Sequence, residues 1–159
     1  DKYPSLWQER ILIRTASALH DIGKIGIDEA ILNKPGRLTA EEFESMKAHT
    51  TIGADMLRNL PRYQEERILQ IAIEICRWHH ERYDGKGYPD GLVGDEIPIS
   101  AQLVSIADVY DALTSERVYK KAFSHEKAMQ MIREGECGAF NPLLLSCLEE
   151  IADELQAEM

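Results

Sequence analysis

An all-α fold in a single domain is the architecture this chain predicts, and three observations carry it. Apolar residues recur at spacings of three and four along most of the sequence, capping residues mark the helix starts, and 159 residues suit one domain with a real core. The expected form is a helical bundle interrupted by one long, ordered, glycine-rich loop.

The first helix is expected from Ser5 to His20, on the series Leu6, Ile11, Leu12, Thr15, Ala16 and Leu19. It delivers His20 and Asp21 at its C-terminal end, where Gly23 fits a helix stop. Consecutive helical residues diverge by about 100°, so both side chains share a cavity only if it lies over the end or flank of that helix. Residues 31–38 read as a short helix running into a turn at Pro35-Gly36. Thr39-Ala40-Glu41-Glu42 is a capping box, and it starts a helix through Phe43, Met46, His49 and Ile52 to Leu57.

Pro61 opens the next helix, whose buried stripe is Ile68, Ile71, Ala72, Ile75 and Trp78, ending at His79-His80-Glu81. From Arg82 to Ile99 the helical period stops. Residues 83–94 hold four glycines and a proline, a long loop of the kind that is functional or disordered, and two tyrosines favour an ordered one. It lacks the Lys-Ser/Thr ending of a phosphate-binding P-loop. Ser100 is expected to cap a helix from Ala101 to Thr114, and two more helices close the chain, begun by Ser124 and by Asn141 with Pro142. His125, at a helix start, is expected on the surface.

A net charge of -10 argues against a nucleic-acid polymer as partner, because such binding rests on Lys and Arg neutralising phosphates. A small phosphate ester needs only a local basic cluster, and Arg117, Lys120 and Lys121 provide the best one. That cluster reads equally as a solvated helix end complementing the dipole. Three cysteines without C-x-x-C spacing indicate neither a disulfide framework nor a zinc knuckle, which suits a reducing cytoplasm. No apolar run is long enough to span a bilayer, and no basic start precedes an apolar stretch. The chain opens at Asp1-Lys2-Tyr3-Pro4 without an initiator Met, which reads as a segment of a longer protein.

His20, Asp21, His49, the tandem His79-His80, Asp108 and Asp111 are the residue types a hard or borderline divalent metal takes, with no thiolate among them. Each has a plainer reading alone. An adjacent His-Asp pair is commonly a helix-terminal hydrogen bond, and His49, on the face of Phe43, Met46 and Ile52, reads first as a core residue. Two imidazoles ending a buried helix are harder to place as packing, since both need partners. Asp108 sits inside an apolar series, so it must be paired, neutral or metal-coordinating, and Asp111 one turn later can orient a neighbouring ligand.

Taken in order, His20-Asp21-Ile22-Gly23-Lys24, Ile31-Leu32-Asn33-Lys34-Pro35-Gly36, His49 with Ile52-Gly53, His79-His80-Glu81, Asp84-Gly85-Lys86-Gly87-Tyr88-Pro89, Gly91-Leu92, Ile97-Pro98 and the run from Asp108 to Ser115, completed by Arg117, Tyr119 and Lys120, resemble an HD-GYP domain. This is the branch of the HD metal-dependent phosphohydrolase superfamily that hydrolyses cyclic di-GMP. The resemblance covers residues 18–122 and implies an all-helical bundle over residues 1–159, giving pGpG or GMP as product. It implies that His20, Asp21, His49, His79, His80 and Asp108 bind two divalent ions, iron or manganese, with Asp21 the bridge. It assigns catalysis to Asp21 and Lys24, phosphate contacts to Lys24, Arg117 and Lys120, and shaping of the pocket to Tyr88.

An upstream receiver or other sensory domain, a diguanylate cyclase-type domain and a second copy of the chain are the partners it suggests. No membrane contact is expected of this domain. The sequence departs from the family pattern in offering no His before His20, which leaves a third ion unassigned and marks an upstream helix as absent from residues 1–159. Asp28, Gln102 and Val118 stand where proline, arginine and proline are usual. Two other readings stay open: a non-catalytic module that binds cyclic di-GMP or a protein partner, and a hydrolase of another nucleotide.

Overall fold

Helices make up most of the described residues in a computed structural model that describes residue 3 and residues 5–116 and 121–157. Their order is α1 (Ser5–Ser17), α2 (Glu29–Leu32), α3 (Ala40–Lys47), α4 (His49–Arg58), α5 (Arg67–Trp78), α6 (Ile99–Thr114), α7 (His125–Arg133), α8 (Pro142–Glu150) and α9 (Ala152–Ala157). Short 3-10 turns lie at Ile22–Gly26, Pro61–Tyr63 and Gly94–Glu96. Among the described residues there is no strand, only one antiparallel bridge between Asp84 and Val93, so the all-α expectation holds.

α5 is the central helix. Leu69, Ile71, Ala72, Ile75 and Cys76 recur at helical spacing and are buried against Ile13 and Ala16 of α1, Ala54 and Leu57 of α4 and Val104 of α6. Ile71 and Ile75 have no exposed surface, and each such side chain contributes about 1.5–3 kcal/mol. A second core gathers Ile106 and Leu113 of α6 with Ala128, Ile132 and Leu144. α6 thus belongs to both, and Asp108 lies between Ile106 and Leu113, its two buried contributions to the second. No described helix is long and apolar enough to cross a membrane.

Several elements differ from the sequence expectation. α1 ends at Ser17, and the chain continues in tighter turns, with the N–H groups of Leu19, His20 and Ile22 donating to Ala16, Ser17 and Leu19. His20 and Asp21 therefore sit in a turn beyond the helix. Gly23 does not stop a helix. It is buried inside the first 3-10 turn, where a Cβ would lie 1.9 Å from the His49 carbonyl oxygen and 2.5 Å from the Gly53 nitrogen, so only glycine lets this turn touch α4.

The helix expected from Thr39 to Leu57 breaks at Ala48. Its capping box forms, with Glu42 N–H donating to Thr39 Oγ1 and Thr39 N–H to Glu42 Oε2. The break follows from side chains that take helix carbonyls: Thr50 donates to Lys47 O, Thr51 to Ala48 O, and His49 Nδ1 lies 2.7 Å from Met46 O. The turn buries His49 and Thr50, whereas α3 buries none of its residues.

Pro61 opens a 3-10 turn, and α5 begins only at Arg67. Pro98, not Ser100, occupies the N-cap of α6, because the Ser100 hydroxyl donates to Glu74. Ser124 and Asn141 cap α7 and α8 as expected, and α9 adds a third closing helix. His125 is half-buried, its Nδ1 2.8 Å from the Tyr110 hydroxyl. Gln102 is buried and bridges the Ile97 carbonyl and the Asn141 amide, a neutral pairing in place of an arginine's.

Candidate functional site

The turn after α1, the start of α4 and the end of α5 meet at one point, and each brings a metal-type side chain there. Asp21 Oδ1 faces His49 Nε2 at 3.4 Å and His79 Nε2 at 3.9 Å. Its other oxygen, Oδ2, faces His20 Nε2 at 3.4 Å and Lys24 Nζ at 2.5 Å. The His80 ring lies 4.1 Å from that of His79 and 5.1 Å from that of His49. One donor atom from each of Asp21, His49, His79 and His80 lies within 4.8 Å of the others.

Main-chain carbonyls set the imidazole orientation. His20 Nδ1 lies 2.7 Å from Ser17 O, His49 Nδ1 2.7 Å from Met46 O and His79 Nδ1 2.8 Å from Ile75 O. A carbonyl can only accept, so each Nδ1 carries the hydrogen; His49 and His79 then turn an Nε2 lone pair to the centre, while His20 Nε2 faces the Asp21 carboxylate. Asp21 Oδ1, His49 Nε2 and His79 Nε2 are buried there without a hydrogen-bond partner. Three converging orphan atoms, all nitrogen or oxygen, fit a divalent cation of hard or borderline character. The four-residue cluster could hold such an ion.

Burial pushes the imidazolium of His79 down to about 4, and lowers His49 and His80 as well, so all three are neutral and able to ligate at pH 7. His20 moves the other way, raised chiefly by its hydrogen bond to Asp21. For Asp21, burial favours the protonated acid, but hydrogen bonds and charge from His20 and Lys24 outweigh it and hold the carboxyl well below the usual range.

Asp108 stands on the flank, its Oδ1 3.7 Å from His20 Nε2, and is not one of the four clustered residues. His20 and Asp108, with Asp21 Oδ2, make a second and more open half of the site, and His20 and Asp108 also line a groove with Arg14 and Ser17. Asp111 is exposed, lines the same groove and accepts from the Ser115 hydroxyl at 3.0 Å, one turn further along its own helix. Arg117 and Lys120 lie outside the described residues, while Lys121 is exposed.

Tyr88 reaches the cluster from the long loop and stacks on His80, centroids 4.9 Å apart and planes at 24°. Burial raises its phenol above the ordinary value. The loop is held by Glu81, a buried carboxylate that accepts the N–H groups of Asp90, Gly91 and Leu92 at 2.7, 3.0 and 3.1 Å. Asp90 in turn pairs with Arg77 through two 2.8 Å bonds and accepts from Trp78 Nε1 at 2.7 Å. A Cβ at Gly87 would meet the main chain of Glu81 and Arg82 at 2.3–2.6 Å, so the loop packs directly on the end of α5. Sequence reasoning gave Glu81 no role, although an acid beside a glycine-rich stretch with many unpaired N–H groups was the available signal.

A family model described as HD domain matches residues 1–142. The chain is 46% identical over 147 residues to a cyclic di-GMP phosphodiesterase of Vibrio cholerae, covering 92% of this chain and 30% of that protein. It is 43% identical over 141 residues to a cyclic di-GMP phosphodiesterase response regulator of Xanthomonas campestris pv. campestris, covering 89% of this chain and 36% of that one. A 3'3'-cGAMP-specific phosphodiesterase of Vibrio cholerae is 42% identical over 149 residues, covering 94% of this chain and 28% of its own length. The chain thus spans about a third of the length of these relatives.

Proposed function

The chain belongs to the HD domain family, and we propose that it is a metal-dependent phosphodiesterase of the HD-GYP type that hydrolyses cyclic di-GMP to pGpG or GMP. The observation that carries this reading is Asp21, whose two oxygens face different donor sets: His49 and His79 on one side, His20 on the other. In this reading His20, Asp21, His49, His79, His80 and Asp108 would hold two divalent ions, iron or manganese. Held there, such ions would supply Lewis acidity for phosphodiester hydrolysis.

The chain's own contribution is arrangement and charge. The carbonyls of Ser17, Met46 and Ile75 fix three imidazoles with Nε2 inward, which removes the cost of ordering them at binding. Lys24 is the proposed phosphate contact. Its ammonium already lies beside the site and is partly exposed, so it can offset charge on a non-bridging oxygen. Tyr88 walls the cavity through its stack on His80. Arg117 and Lys120 are proposed as further phosphate contacts. A receiver-type domain is the proposed regulatory partner, supported by the response-regulator description of one relative.

The relative named as specific for 3'3'-cGAMP supports a second reading, in which another cyclic dinucleotide is the substrate. Anaerobic turnover of cyclic di-GMP and 3'3'-cGAMP by the chain loaded with Fe(II) or Mn(II), with bound metal counted on the same sample, separates the two. Product is expected, and Asp21→Ala is expected to lose both metal and product while keeping its helicity. Full activity in Asp21→Ala would sink the two-ion assignment.

A further inference from the structure

α3 stands beside the site without serving the core, since none of its residues is buried, and its Phe43 is 45% exposed. That ring is not idle on the surface. It meets Tyr88 edge to face, centroids 6.2 Å apart and planes at 83°, and Tyr88 itself stacks on His80. Lys47, one turn further along α3, places its ammonium 5.1 Å from the Phe43 centroid and 5.4 Å from that of Tyr88, and holds Glu44 at 2.6 Å. A row of aromatic rings thus runs from His80 through Tyr88 to the exposed ring of Phe43, with the Lys47 ammonium over that ring.

We propose that Phe43 and Lys47 form the seat for one base of the substrate, a guanine packed against the exposed part of the Phe43 ring. This deepens the phosphodiesterase reading and rests on it. Stacking on an aromatic side chain suits any base, and the ammonium adds the choice, because guanine turns two acceptors, N7 and O6, to a donor where adenine pairs an acceptor with an amino group. Phosphate held near Lys24 and base held at Phe43 place the scissile bond over the histidines, and Phe43 and Lys47 act as specificity-determining residues.

The test uses the metal-loaded chain with cyclic di-GMP as probe. Phe43→Leu keeps apolar bulk and removes the π face, and is expected to lower kcat/KM about tenfold through KM. Phe43→Trp is expected to keep the wild-type KM and to show fluorescence quenching on titration beyond that of the wild type. Lys47→Met is expected to narrow the preference for cyclic di-GMP over cyclic di-AMP. A Phe43→Leu KM within twofold of wild type, in a chain that turns the substrate over, overturns the seat and leaves the phosphodiesterase reading standing. Quenching in Phe43→Trp without turnover keeps the seat and removes the hydrolytic reading, whereas neither quenching nor turnover removes both.

Discussion

Replacing Glu81 by Gln should loosen the long loop without unfolding the protein. Its carboxylate receives three main-chain N–H donors, and bonds to a charged acceptor are worth about 1.5–3 kcal/mol each. Glutamine keeps the shape but offers one acceptor oxygen, and its NH2 group confronts at least one N–H, so the equivalent of one to two such bonds is lost. Non-additivity and water entering near exposed Asp90 hold the expected loss to about 3 kcal/mol in the local opening free energy. That is about a hundredfold faster exchange of the Asp90, Gly91 and Leu92 amides. Hydrogen exchange read amide by amide measures it, with the amides of α4 and the middle of α5 as unchanged references. Unaltered protection at those three amides would refute the claim that Glu81 orders the loop.

Three further outcomes are expected. Gly23→Ala should cost about 3 kcal/mol or more in urea unfolding and widen the separation of Asp21 and His49, because the added carbon meets the main chain of His49 and Gly53 rather than a movable side chain; wild-type stability would contradict the close approach. In the metal-free chain, His79, His49 and His80 have lowered values, so between about pH 6.5 and 4 the unfolded chain binds more protons and stability falls on acidification. His20, raised, contributes stability that is full below its ordinary value of 6.5 and is lost as pH rises through its folded value, but it is one against three, so a urea midpoint that climbed from pH 7 to pH 5 would overturn this balance. Gln102→Ala should cost about 1–3 kcal/mol by leaving the Ile97 carbonyl and the Asn141 amide short of a partner, again read from urea unfolding.

The features legible in the sequence are those written in local chemistry. Thr39 with Glu42, Ser124, and Asn141 with Pro142 signalled helix starts by their own hydrogen-bonding groups, and the structure has helices at each. His20, Asp21, His49, His79 and His80 stood out by residue type, and they converge. His49 answers to both of its sequence readings, since it is 1% exposed like a core residue and yet aims an unpaired Nε2 at the centre.

What the sequence hid depends on neighbours distant in the chain. The break at Ala48 required knowing that Thr50, Thr51 and His49 would claim the carbonyls of the preceding turn. Ser100 looked like a cap because Glu74, its actual partner, is 26 residues away. Gly23 looked like a helix stop because its packing against α4 is invisible to a local pattern. Phe43 read as part of an apolar stripe, and its contact with Tyr88, 45 residues away, is invisible to that pattern.

His79, His80 and Glu81 leave the end of α5 in three directions: to the metal-type cluster, to the row of aromatic rings and to the loop. Successive residues share one peptide framework, so these parts have few degrees of freedom apart from one another. A strain applied to the loop, by a docking domain or by substrate, reaches the cluster across two peptide bonds rather than through a relay of side chains. The turn just beyond α5 therefore ties ligand geometry on one side to loop position on the other.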